Sequence, residues 1–198
     1  MLVQPASTIP APPGGTTDRP RTRGNAYSCA VPDYQPMKLH LNTERLKLRP
    51  WAASDVNEYR ALITERGNGA PSVADVRERI ATHLAATTQT GLALLAVCRR
   101  PEGDFIGYCG LTVHRSSIDE PEIAYELFQS AHGLGYATEA ARAVLDAAIA
   151  TGRTRLWATV GSWNTPSFRV LEKLGFDRDR VTTKDDGEEV VWLTRVLP

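Results

Sequence analysis

One stretch of the sequence, residues 122–149, constrains the fold of this chain more than any other. Residues 123–128 form an apolar run typical of a buried strand, and Gly133 and Gly135 follow it without a long loop. The residues after these glycines repeat apolar side chains at helical spacing, which predicts a helix with one buried face. Glycine lets the backbone approach a ligand closely, and a helix N-terminus offers unpaired N–H groups with partial positive charge. The stretch therefore predicts either an anion site suited to a pyrophosphate or a tight turn that only packs the helix on the sheet.

Shorter patterns on both sides of this stretch predict a mixed sheet. Helices are expected after Ser54 and Asp55, after Ser72, and from Thr165, where the following proline suits the first helical turn. These helices interrupt the strands rather than alternate with them strictly, so the sequence predicts an α+β fold with the order β-α-α-β-β-β-α-β-α-β-β. The strands are expected at residues 45–49, 92–98, 105–113, 123–128 and 155–160, and in a final hairpin over residues 176–198.

Composition and charge narrow the classes of function. With 198 residues, of which 42% are hydrophobic, the chain suits one globular domain. Its 23 basic and 23 acidic residues give a net charge of zero, which argues against a nucleic-acid or anionic-membrane partner. No apolar run approaches the roughly 20 residues of a membrane span, and the N-terminus lacks a secretory pattern, so a cytoplasmic protein is expected. Because Cys29, Cys98 and Cys109 form neither a metal-binding pair nor a disulfide framework, no metal site is expected.

The first 36 residues differ in composition from the rest of the chain. They contain seven of the thirteen prolines and few large apolar side chains, so they cannot bury enough surface to offset the entropy lost on ordering. We expect residues 1–36 to form a flexible tail, with Tyr27 and Tyr34 as candidates for local docking. Residues 37–198 are expected to form the folded domain.

A second segment, residues 164–176, follows the strand expected after the glycine stretch. The two segments in this order are a more specific signal for a protein family than the glycine stretch alone. Together the two stretches resemble the GNAT family of N-acetyltransferases, and in particular its Rim-type branch, which acetylates the N-termini of ribosomal proteins. The resemblance covers the chain from about Met37 to the C-terminus. The matching residues are 44–51, 106–107, 110–111, 122–123, 133–140 and 164–176.

This resemblance implies the GNAT fold, a mostly antiparallel mixed sheet that splays between its fourth and fifth predicted strands and is flanked by helices. It also implies acetyl-CoA as the acetyl donor, with the pantetheine arm between residues 123–128 and 155–160 and the pyrophosphate on backbone amides of the glycine loop. Family members usually carry Gln or Arg where this chain has Ser130, so we expect weaker side-chain support for the pyrophosphate. The implied cofactor-binding residues are Leu127, Phe128, His132, Gly133, Leu134, Gly135, Tyr136, Ala137, Thr138 and Asn164.

Acetyl transfer to an amine requires a base for the ammonium, donors for the oxyanion, and a hydrogen bond or proton for the leaving thiolate. Backbone N–H groups near Leu127 are the expected oxyanion donors. Many family members use a tyrosine where this chain has Leu171, and the resemblance gives that role to Ser167, whose alternative is an ordinary helix serine. The expected base is Glu122, which shares one face of its strand with Glu126. The alternatives to Glu122 are Glu120 and Glu126 as bases, or a purely electrostatic role for these carboxylates.

The sequence leaves several acceptors open. Direct attack in a ternary complex is favoured over an acetyl-cysteine intermediate, because Cys109 is expected to be a small buried side chain. Acidic residues within the segment 119–126 favour a cationic amine. The preferred acceptor is a protein or peptide N-terminal α-amine, and the alternatives are a small amine (polyamine, amino sugar or amino acid) or a domain that binds CoA without turnover. A monomer and a homodimer are both compatible with the sequence.

Overall fold

The computed structural model describes residues 34–67 and 69–198, and these form one mixed sheet flanked by four helices. The helices are α1 (Val56–Glu65), α2 (Val73–Thr90), α3 (Tyr136–Ile149) and α4 (Thr165–Lys173). The strands are β1 (Leu41–Asn42), β2 (Leu46–Arg49), β3 (Leu94–Arg99), β4 (Phe105–Thr112), β5 (Glu122–Leu127), β6 (Arg155–Gly161), β7 (Asp177–Thr183) and β8 (Glu189–Val196).

The strands lie in the order β1-β2-β3-β4-β5-β6-β8-β7. Every neighbouring pair is antiparallel except β5 and β6, which are parallel. The predicted α+β class and mixed sheet are therefore confirmed. Strand β1 is absent from the sequence prediction, because two residues are too few for an alternating pattern to appear.

The sheet separates near its middle, between β5 and β6. These two strands share a single register pair, Glu122 with Trp157, and the Trp157 N–H donates to the Pro121 carbonyl at 2.9 Å. Beyond that pair β5 stays bonded to β4 and β6 stays bonded to β8, so a gap opens toward the C-terminal ends of both strands. The splay implied by the family resemblance is thus confirmed.

Helices cover both faces of the sheet. On one face α1 and α2 pack over an aromatic cluster around Trp51, Tyr59 and Tyr108, and on the other α3 and α4 pack over an aliphatic core. The apolar residues of α2 at helical spacing, Val73, Val76, Ile80 and Leu84, are only half buried as a set, since Val73 and Leu84 are 38% and 41% exposed. The reason is length: 18 helical residues span about 27 Å and the 10 of α1 only about 15 Å, so the ends of α2 extend past its neighbour. The α2 residues that are buried are Val76 and Ile80, and those of α1 are Val56, Tyr59, Leu62 and Ile63.

The N-terminal end of the described chain lies against the domain. The Gln35 N–H donates to the Thr151 carbonyl at 3.0 Å, and the Tyr34 ring lies 4.4 Å beneath the guanidinium of Arg153. Contacts with the domain therefore begin before Met37, which is itself buried. The tail prediction for residues 1–33, with Tyr27 and Cys29, lies outside the described residues. Within the described part of the chain, no helix combines the length and apolar character that a membrane crossing needs.

Candidate active site

Backbone groups of β5 line one side of the gap between β5 and β6. The Phe128 N–H donates to the Ile106 carbonyl at 3.0 Å. In an antiparallel ladder such bonded residues alternate with residues whose N–H and C=O groups point the other way. The backbone groups of Tyr125 and Leu127 therefore point away from β4 and into the gap, where they can bond an extended ligand as an added strand would.

The glycine loop follows β5 and ends at α3. Gly133 and Gly135 have φ values of +74° and +82°, in the left-handed region that glycine adopts without strain. Gly135 is the N-cap of α3, and the first helical bond runs from Glu139 N–H to the Gly135 carbonyl at 3.1 Å. The N–H groups of residues 136–138 thus have no partner within the helix. A Cβ at Gly133 would meet no atom within 4 Å, so the loop is open on the side where an anion can approach.

Arg45, which the sequence predicts only as the start of a strand and as part of the matching segment 44–51, holds the loop in place. Arg45 Nη1 donates to the Leu134 carbonyl at 3.0 Å, its Nε donates to Glu139 at 2.7 Å, and its guanidinium lies 4.6 Å from the centre of the Tyr136 ring. Burial alone raises the pKa of Glu139, but hydrogen bonds from Thr43 and Arg45 bring that pKa below its ordinary value. Glu139 could have pointed to Arg45 from the sequence. A carboxylate next to a predicted anion site needs a cation partner, and Arg45 is that partner here.

The start of α4 brings two of the predicted residues to the gap. Asn164 is the N-cap of α4, and its side-chain oxygen accepts from the Ser167 N–H at 3.3 Å. Tyr125 on β5 donates to the Ser167 carbonyl at 3.2 Å, which joins the two sides of the gap. Ser167 is fully buried, and within residues 34–67 and 69–198 its hydroxyl has no hydrogen-bond partner. An orphaned buried hydroxyl of this kind fits a site that a ligand completes. Leu171 is a core residue.

Glu122 lies at the closed end of the gap and is 2% exposed. Its carboxylate accepts from the Arg115 backbone N–H at 2.8 Å and from the Thr159 hydroxyl at 2.9 Å. Both donors are neutral groups, and a carboxylate has about four lone-pair sites, so Glu122 has sites left to accept a proton.

The two alternative bases have cation partners. Glu126 accepts from both Arg66 Nε, at 2.6 Å, and Arg66 Nη2, and this ion pair is buried. Glu120 accepts from the Trp157 indole at 2.8 Å and lies 3.3 Å from Arg155. Arginines that are distant in the sequence therefore balance the acidic character predicted for this segment. Because Arg66 bonds both oxygens of Glu126, this carboxylate is a weaker candidate base than Glu122.

The remaining predicted residues have ordinary surroundings. Cys109 is fully buried in the core below β4, and burial raises the pKa of its thiol, so it is poorly suited to act as a nucleophile. His132 is half-buried, and its Nε2 lies 2.9 Å from the Leu127 carbonyl oxygen. In the described ranges, no three His, Cys, Asp or Glu side chains converge as a metal ion would require.

Known proteins share this architecture. The family model "Acetyltransferase (GNAT) domain" matches residues 45–177. The "Uncharacterized N-acetyltransferase p20" of Bacillus licheniformis is 26% identical over 147 residues, which make up 70% of this chain and 83% of that protein. The crystal structure of an acetyltransferase from Agrobacterium tumefaciens is 28% identical and superposes with a TM-score of 0.65 over 88% of this chain and 99% of its own. The ribosomal L7/L12 α-N-protein acetyltransferase RimL, solved with coenzyme A, shares the fold at 15% identity, with a TM-score of 0.71 over 80% of this chain and 98% of its own.

Proposed function

The chain belongs to the GNAT acetyltransferase family, and on this premise we propose that it transfers the acetyl group of acetyl-CoA to the N-terminal α-amine of a protein or peptide. Acetyl-CoA-dependent transfer to an amine is the activity of the family. The identity of the acceptor and the roles of single residues are the proposal. The observation that carries it is the gap between β5 and β6, bordered by backbone groups of β5 that point into it, by a helix N-terminus and by the Ser167 hydroxyl, which has no partner among the described residues.

The donor fits this gap through backbone contacts. The N–H and C=O groups of Tyr125 and the N–H of Leu127 suit the amides of a pantetheine arm, since the Leu127 carbonyl oxygen already lies 2.9 Å from His132 Nε2. Leu127 and Phe128 supply its apolar wall. The N–H groups of residues 136–138, which have no partner within α3, and the glycine loop at 132–135 suit a diphosphate, because a helix N-terminus attracts anions. Asn164 is assigned to the pantetheine amide. Its buried position at the start of α4 supports that role.

The proposed reaction takes place beside β5. Glu122 accepts a proton from the acceptor ammonium, directly or through a water molecule, and the neutral amine attacks the thioester carbonyl carbon. A C–N bond forms, and the carbonyl oxygen becomes an oxyanion to which a backbone N–H group on the gap side of β5 can donate. The C–S bond then breaks, and Ser167 Oγ donates a hydrogen bond to the leaving thiolate. The nitrogen releases its second proton as the thiolate is protonated, so the products are an amide and the CoA thiol.

A protein N-terminus is the acceptor that the family branch favours. The Rim-type resemblance rests on several motifs of the sequence, and RimL, which shares the fold, is named for acetylating a ribosomal-protein α-amine. Nothing else in the site requires a large partner, so the acceptor is the part of the proposal that needs a direct test.

Thiol release from acetyl-CoA tests the proposed function. The full chain is incubated with acetyl-CoA and a panel of N-terminal peptides, polyamines, amino sugars and amino acids, and the acetylated product is identified by mass spectrometry. We expect release with peptides at a kcat/KM well above that with polyamines or amino sugars. Binding of acetyl-CoA without thiol release for any amine would contradict the proposed reaction, and turnover of only non-peptide amines would contradict the proposed acceptor.

A further inference from the structure

A shallow depression adjoins Glu122 on the face of the sheet that carries α1 and α2; it encloses only about 10 Å³, about the space of one water molecule, so a ligand group would contact it at its mouth. We call it the Arg115 pocket, and Arg115, Thr159, Gly161, Trp163, Lys184 and Glu188 line it. Arg115 Nη1 donates to the Thr159 hydroxyl at 3.2 Å, and that hydroxyl donates to Glu122. A single hydroxyl group therefore separates the guanidinium of Arg115 from the carboxylate assigned as the base. The pocket and the site of proton removal are neighbours.

The far wall of the pocket is built to a fixed shape. The Trp163 indole N–H donates to Glu188 at 2.7 Å, and Glu188 also pairs with Lys184 on the β7–β8 hairpin. A Cβ at Gly161 would lie 2.6 Å from the Trp163 Nε1 and 3.0 Å from Glu188, so only glycine leaves room for this arrangement. The Trp163 side chain is 60% exposed, while the next residue, Asn164, is buried against the CoA gap. This loop thus divides the donor side from the Arg115 pocket.

Among the residues that line the pocket, the two cations Arg115 and Lys184 outnumber the one anion, Glu188. Glu188 is matched by Lys184, and the Lys184 bond, the Trp163 bond and the charge of Arg115 all hold the pKa of Glu188 below its ordinary value. Arg115 makes one side-chain hydrogen bond within the described part of the chain, the one to Thr159, and this leaves its other N–H groups available. The site therefore presents a carboxylate at Glu122 and, one hydroxyl away, a guanidinium with donors to spare.

We propose that the Arg115 pocket selects acceptors that carry a carboxylate close to the amine that is acetylated. The inference rests on the proposed acetyl transfer and names the acceptor class for that same site. Such an acceptor would place its ammonium beside the negative charge of Glu122 and its carboxylate beside the positive charge of Arg115, whereas a polyamine would place a second cation beside Arg115. Two sources share this chemistry: a peptide with an acidic residue near its N-terminus, and a free amino acid.

Matched acceptor pairs test this proposal. One pair is a peptide beginning Ser-Glu against the same peptide beginning Ser-Gln, and the other is free serine against serinamide. Thiol release is measured for both pairs with the wild-type chain. We expect the carboxylate member of at least one pair to have a kcat/KM about tenfold or more above its amide, because charge-assisted bonds to Arg are strong. The pair that discriminates identifies the source.

Variants locate the preference. Arg115→Met should reduce the discrimination to less than about threefold, and Arg115→Lys should retain part of it because the charge remains. Arg180→Met is the matched control, because Arg180 stacks on Trp157 and Trp192 on the same sheet face but outside the pocket, and it should keep the full preference. Equal kcat/KM within both pairs, or a preference that survives Arg115→Met, would overturn the pocket proposal while acetyl transfer stands. No thiol release with any acceptor would overturn the proposed function and this inference with it.

Discussion

Replacing Arg66 by Met should destabilise the protein by about 3–5 kcal/mol at neutral pH. The side chains of Arg66 and Glu126 are only 11% and 3% exposed, and two hydrogen bonds join them between the end of α1 and β5. Removing the cation leaves the Glu126 carboxylate in the interior without an opposite charge, and the cost of that uncompensated charge dominates the effect.

The double variant separates this cause from a loss of packing. Arg66→Met with Glu126→Leu removes both charges and keeps similar volume, so its stability should return to within about 2 kcal/mol of the wild type. The Arg66 backbone N–H, which bonds the end of α1 at the Ile63 carbonyl, is unchanged in both variants. Arg99→Met is the surface control: Arg99 and Asp104 are 39% and 42% exposed, so breaking their pair should leave the urea midpoint nearly unchanged.

Urea unfolding followed by far-UV circular dichroism measures these differences. With a urea m-value of about 2 kcal/mol per molar, the Arg66→Met midpoint should fall by about 2 M. A single variant within about 1 kcal/mol of the wild type would refute the reasoning. A double variant no more stable than the single one would show instead that packing, not the lone charge, sets the cost.

Three further predictions concern the site and the core. Ser167→Ala should lower kcat and leave the CoA affinity measured by calorimetry nearly intact. Glu122→Gln should lower kcat by about 10²–10⁴. An unaltered kcat for either variant would remove that residue from the mechanism. Gly135→Asp should weaken CoA binding at least tenfold, because a Cβ at Gly135 would lie 3.4 Å from Arg45 Nη2, and the new carboxylate would compete for the arginine that holds the loop. Gly152→Asp, with a similar φ of +81° at the other end of α3, should not weaken binding, and equal affinities would refute the loop assignment. Burial lowers the pKa of His83 to about 4. Because the unfolded chain then binds a proton more readily than the folded one, the free energy of unfolding should fall by about 2–3 kcal/mol as the pH drops from about 6.5 to 4. His83→Phe should lose this pH dependence, and an unchanged dependence in the variant would contradict its origin in His83.

The sequence predicts the local parts of the site well. Strand, glycine loop and helix over residues 122–149 follow from patterns within a few residues, because each pattern repeats with the period of its own element. The alternation of β5 correctly puts Glu122 and Glu126 on one face. The same reasoning cannot rank these carboxylates, since only their partners distinguish them.

Those partners come from distant parts of the chain. Arg66 is 60 residues from Glu126, and Arg45 is 94 residues from Glu139. Arg115 lies beside Thr159 only because β6 pairs with β5 in one particular register, and a single residue pair, Glu122 with Trp157, sets that register. Such pairings depend on strand order and helix packing, so periodicity within one segment carries no information on them.

Amide hydrogen exchange with and without CoA tests most directly whether the ligand occupies the gap between β5 and β6. The account predicts slower exchange on CoA addition at Tyr125, Leu127 and residues 133–138, with little change along β7 and β8. CoA binding that leaves those amides unprotected, or that protects a different part of the sheet, would contradict it.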